Sequence, residues 1–97
     1  MSVHDGHRQR MKKRFLEYGA DGFDDHNLLE LLLFFALPRV DTNRTAHELL
    51  ERFGSIDAVL EATGDELMAS PGVGENAAVL LKLVPALARR YLTAKNS

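Results

Sequence analysis

The sequence contains no cysteine. Disulfides, thiolate zinc centres and a cysteine nucleophile are therefore excluded. The same absence fits a reducing compartment, and a cytoplasmic location is expected. Long apolar runs are missing too. The longest, Leu31 to Leu37, has seven residues, against the roughly 20 a membrane-spanning helix needs. No charged-then-apolar segment opens the chain, so a soluble protein without membrane contact is expected. Strand-like alternation is absent, and every strong segment has helical period. There is no Walker-type phosphate loop and no serine elbow. Only His4, His7, His26 and His47 supply imidazoles. His4-Asp5-Gly6-His7 offers two of them and a carboxylate, but no firm third ligand for a metal. The carboxylates between residues 57 and 66 are spread over two short helices. The reading is of a chain that is not an enzyme and holds no metal or cofactor of its own.

Ninety-seven residues, 45% of them hydrophobic, suit a single domain over 1–97 with an ordered core over 5–92. The net charge of −2 conceals three zones. Residues 1–20 carry +3, residues 21–70 carry −8 and residues 71–97 carry +3. Strong non-specific nucleic-acid binders are usually basic throughout, so any DNA contact should be local.

Apolar spacing predicts an all-α fold of five or six helices. The first, over 5–18, places Met11, Phe15 and Tyr18 on one face and ends at Gly19. Arg8, Arg10, Lys12, Lys13 and Arg14 occupy its remainder. They read as a solvated face, with a phosphate-contacting arm as the functional alternative. The second helix starts at an Asp24 cap. From Leu28 to Leu37 its only polar residue is Glu30, so it should be buried and run to about Ala36, where Pro38 stops it. Phe34 and Phe35 are both expected in the core. Asp41 or Thr42 caps the third helix, whose stripe is Ala46, Leu49, Leu50 and Phe53, closed by Gly54. Ser55 caps a fourth. Thr63 and Glu66 form a capping box on a short fifth. The sixth runs from about Glu75 to Leu92, with Ala77, Leu80, Leu81, Val84, Ala88 and Tyr91 as its buried stripe and a kink expected near Pro85.

Between the last two helices lies Ser70-Pro71-Gly72-Val73-Gly74-Glu75-Asn76-Ala77-Ala78. Two glycines at a helix start allow close backbone approach. They also leave free N–H groups at the positive end of the helix dipole, which suits a phosphate. The same turn serves equally as a bare connection that needs glycine for shape.

From Leu67 to Leu83 the pattern resembles a helix-hairpin-helix motif, carried by Leu67, Pro71, Gly72, Val73, Gly74, Ala78 and Leu81, and spanning 64–92. Gly6-His7-Arg8, Arg14-Phe15, Leu28-Leu29-Glu30-Leu31-Leu32-Leu33, Pro38-Arg39, Asp41-Thr42-Asn43 and Phe53-Gly54-Ser55 precede it in order. That succession is similar to the N-terminal domain of the RadC family (UPF0758), named for DNA repair, over roughly 5–92. The resemblance implies a domain of a longer protein whose second, metalloprotease-like domain would hold zinc. It implies phosphate-backbone binding by the amides of Gly72, Val73 and Gly74, with Asn76 as a side-chain donor and Arg8, Lys12 and Lys82 as basic contacts. The partner implied is DNA, bound weakly and without sequence preference. Where such hairpins often carry Lys or Arg after the second glycine, this chain has Glu75, which sets a negative charge where a phosphate would sit. The alternative is an interaction or structural module that positions another domain or a partner chain.

Overall fold

A computed structural model describes residues 3–97. Six α-helices follow in order: α1 (Val3–Tyr18), α2 (Asp25–Leu33), α3 (Thr42–Phe53), α4 (Ile56–Glu61), α5 (Gly64–Met68) and α6 (Glu75–Lys95), with a 3-10 turn over Gly19–Gly22 after α1. No strand occurs among the described residues.

Helix starts follow local chemistry. Asp24 Oδ1 accepts from the Asn27 amide at 2.8 Å, and Asp41 Oδ1 from Asn43 and Arg44 at 3.1 and 3.3 Å. Ser55 Oγ accepts from Ala58 at 3.3 Å. Thr63 and Glu66 exchange bonds of 2.9 and 3.1 Å, completing the capping box. Each pairs a donor that the first turn leaves without a partner. Gly54, at φ +96°, closes α3 in the left-handed conformation that favours glycine.

The main core joins five helices. Leu29 and Leu33 of α2, Ala46 and Leu49 of α3, Val59 of α4, Leu67 of α5 and Ala77, Ala78 and Leu81 of α6 are buried together, with Ala62 and Val73 from the connections. A smaller cluster of Met11, Phe23, Leu31 and Phe34 fixes α1 to the other face of α2. This is why α2 is apolar nearly all round: one face meets the main core and the other meets α1.

Four expectations are corrected. The α-helical part of α2 ends at Leu33, not near Ala36. Phe35 and Ala36 instead bond Leu32 and Leu33 in tighter i→i+3 fashion, as the chain turns ahead of Pro38. Phe34 is buried but Phe35 is 67% exposed, because adjacent helical positions point about 100° apart and α1 covers only one. Of the α1 stripe, Met11 is buried while Phe15 and Tyr18 are exposed. Finally, α6, with Pro85 inside it as expected, ends at Lys95 rather than about Leu92, and Ala88 and Tyr91 of its expected stripe are exposed. Among the described residues, no other element covers the last turns of α6, where residues 86–97 are all exposed.

Candidate phosphate-binding hairpin

Past α5, the Ser70 amide donates to Leu67 O at 3.0 Å and the Val73 amide to Ser70 O at 3.1 Å. The second bond closes a four-residue turn with Pro71 and Gly72 at its centre. Proline fits the first central position, and the second requires positive φ, met by Gly72 at +80°. A Cβ on Gly72 would lie 3.8 Å from Thr45 Oγ1, an ordinary contact. Glycine is needed there for the backbone conformation, not for space. The turn points Val73 inward, where it is buried beside Leu67, Ala77 and Ala78.

That geometry divides the expected ligands. The Val73 amide is spent on the turn. The amides of Gly72, Gly74, Glu75 and Asn76 have no acceptor among the described residues. Gly74 is the N-cap of α6 and supplies no side-chain cap, whereas α2, α3, α4 and α5 each start under an Asp, Ser or Thr oxygen. The start of α6 thus presents several unpaired N–H groups at the positive end of a 21-residue dipole. Asn76 is exposed next to them.

Of the expected basic residues, Arg8 and Lys12 are placed on α1, while Lys82 lines a groove with Gly64, Met68 and Glu75 between α5 and α6. Arg8 is 9% exposed, and its guanidinium donates to Phe34 O, Leu37 O and Val40 O at 3.4, 2.9 and 2.7 Å. Lys12, also on α1, lies 5.2 Å from the Phe35 ring centre. Lys82 Nζ donates to Leu60 O at 3.1 Å, tying α6 to the end of α4. Glu75 is exposed at the first helical position of α6. Glu66, on α5, is held below the ordinary carboxyl range by the Thr63 amide and hydroxyl that bond it.

One cation beside the hairpin had no role in the sequence reading. Arg52 Nη1 donates to Glu66 O at 2.8 Å and to Ser70 Oγ at 2.6 Å. Its charge therefore stands at the base of the turn. No sequence signal pairs residue 52 with residue 70, since only packing of α3 against the α5–α6 connection brings them together.

A second polar cluster forms where α1, α2 and α3 meet. Glu30 is 2% exposed; its Oε2 lies 3.1 Å from His7 Nε2, and its Oε1 accepts from Asn43 Nδ2 at 3.4 Å. Here His7-Arg8, Glu30 and Asp41-Thr42-Asn43 converge around a cavity of about 250 Å³. Its buried polar atoms are all paired, so it reads as a brace between helices. His4 and Asp5 lie outside the described side chains. Among the described residues no helix is long and apolar enough to cross a membrane.

Neither a family model nor a solved structure matches the chain. Among curated proteins, UPF0758 protein FN0909 of Fusobacterium nucleatum is 44% identical over 79 residues, covering 81% of this chain and 34% of that protein. The chain thus spans about a third of that relative's length. This likeness supports kinship with the UPF0758 proteins.

Proposed function

We propose that this chain is a non-catalytic domain of a UPF0758, RadC-like protein. It contacts a nucleic-acid phosphate backbone, weakly and without base preference, through a helix-hairpin-helix formed by α5, the Ser70–Gly74 turn and α6. The observation that carries this reading is the uncapped start of α6, with the free amides of Gly72, Gly74, Glu75 and Asn76 grouped there. Arg52 is a nearby cation, and Asn76 supplies a side-chain donor. Arg8 and Lys82 act in this scheme as structural ties, because both donate to backbone carbonyls.

The test is an amide-resolved NMR titration with duplex DNA. Shifts centred on residues 72–76 are expected at about 50 mM salt, and the affinity should fall roughly three- to fourfold per phosphate engaged by about 200 mM. Replacing Glu75→Lys should tighten binding roughly tenfold by reversing a charge beside the phosphate. Gly74→Asp should abolish it. A Cβ there meets nothing within 4 Å, and the new carboxylate would cap the same amides. Unmoved amides with both the native chain and the Glu75→Lys variant would sink the proposal.

A second reading, a module that docks other protein surface, is favoured by an apolar groove between α1, α2, α4 and α6.

A further inference from the structure

Arg52 stands in the last turn of α3, and the bonds it makes use one end of its side chain only. Nη1 donates to Glu66 O at 2.8 Å and to Ser70 Oγ at 2.6 Å. Each acceptor has a place in the hairpin. Glu66 O belongs to the last turn of α5, where carbonyls lack partners within the helix. The Ser70 amide, four residues on, bonds Leu67 O instead. Ser70 is 5% exposed, and its carbonyl accepts the Val73 amide that closes the turn. Arg52 thus ends α5 from outside and holds the first residue of the turn by its hydroxyl.

A guanidinium carries five N–H donors in one rigid plane. The two on Nη1 match the two bonds to Glu66 and Ser70. The three on Nε and Nη2 have no acceptor among the described residues, and Arg52 is exposed. No carboxylate among those residues forms an ion pair with it. The side left over is the one that grips an oxyanion with two parallel bonds.

We propose that Arg52 is the phosphate clamp of the hairpin. Nη1 fixes the turn, and the Nε–Nη2 edge takes two oxygens of a phosphate beside the one met by the α6 amides. This rests on the phosphate-binding reading above. Ser70 and Val73, the ends of the turn, lie within about 7 Å of each other, Cα to Cα. The clamp and the amides that follow Val73 are therefore one turn's width apart. A phosphate at the start of α6 also meets the charge of Glu75, and a cation close by offsets that repulsion. Lys82 Nζ is turned to Leu60 O, whereas Arg52 keeps a whole edge unspent. Because Nη1 is anchored, little side-chain freedom is lost when that edge binds.

Titration of the 97-residue chain with duplex DNA at several salt concentrations tests this, read by amide and arginine Nε–H resonances. In the native chain the Arg52 Nε–H signal is expected to shift together with the amides of residues 72–76. In Arg52→Gln the slope of log K against log salt should fall by about 0.9, the share of one phosphate contact. Arg52→Lys should keep the slope, since the charge stays. It should weaken binding about tenfold, because an ammonium lacks the fork that holds the turn and two phosphate oxygens at once. A purely structural Arg52 would leave the slope unchanged in both variants. Exchange of the Val73 amide without DNA reports whether the turn persists in each variant; where it does not, the native Nε–H shift decides. An unmoved Arg52 Nε–H beside shifted hairpin amides overturns the proposal and leaves the phosphate reading standing. So does an unchanged slope in an Arg52→Gln variant whose turn persists. Unmoved hairpin amides in both the native chain and Glu75→Lys overturn the two together.

Discussion

Arg8 does the work of a cap for a chain segment that has none of its own. Its guanidinium fork serves the carbonyls of Phe34, Leu37 and Val40 and lies 4.7 Å from the Phe34 ring centre. The carbonyls that α2 cannot satisfy as it unwinds are thereby paired, and α1 is held on α2. Replacing Arg8→Ala should destabilise the domain by about 2–4 kcal/mol, since bonds to a charged donor are lost and buried carbonyls are left unpaired. Arg8→Lys should recover only part, because an ammonium lacks the planar fork. Urea unfolding reads both, and hydrogen exchange should show α1 loosening first. The sequence marks Arg8 as one cation among five in a basic run, which reads as a solvated face. What distinguishes it is contact with residues 26 to 32 positions away, and no local pattern encodes that. Lys82 and Arg52 escaped for the same reason, their partners lying 22 and 18 positions off.

Helix starts, by contrast, are legible because caps are local. Asp24, Ser55, Thr63 and the closing Gly54 stand where spacing places them, and of the two candidates Asp41 and Thr42 it is Asp41 that caps α3. The five-residue α5 depends on its cap more than the others, since so short a helix is not stable by itself. Thr63→Ala should cost about 1 kcal/mol. The carboxylates at these starts also set an acid limit. Glu66, bonded by the Thr63 amide and hydroxyl, and Asp57, bonded by the Ser55 hydroxyl and its own backbone, both sit below their ordinary values of 4.5 and 3.8. A carboxyl whose folded value is depressed contributes stability above its unfolded value and loses it as the pH falls through the folded one. Chemical denaturation between about pH 5 and pH 3 should therefore show a smaller loss for Glu66→Gln than for the native chain. An equal loss would mean the capping box carries no share of the acid sensitivity. Apolar stripes are less legible than caps. The spacing places Tyr18 on the apolar stripe of α1 and Ala88 and Tyr91 on that of α6, but burial also requires another element to cover them, and all three are exposed.

At the scale of the whole molecule, the shape is more extended than its length requires. The radius of gyration is 13.9 Å, where a compact chain of 97 residues has about 12.5 Å. The projecting half of α6 contributes to this, and Pro85 stands where it leaves the body, removing one backbone donor from the helix. A helix of ten or so residues has little stability alone in water. The turns of α6 past Pro85 are exposed, whereas Ala77, Ala78 and Leu81 are held in the main core. The distal turns should therefore open far more readily than the proximal ones, because local opening is cheapest where few apolar contacts are lost. Amide hydrogen exchange checks this: strong protection is expected around Leu81, falling steeply from Leu87 to Lys95. Uniform protection along α6 would show that the distal turns are ordered by something beyond their own helix propensity.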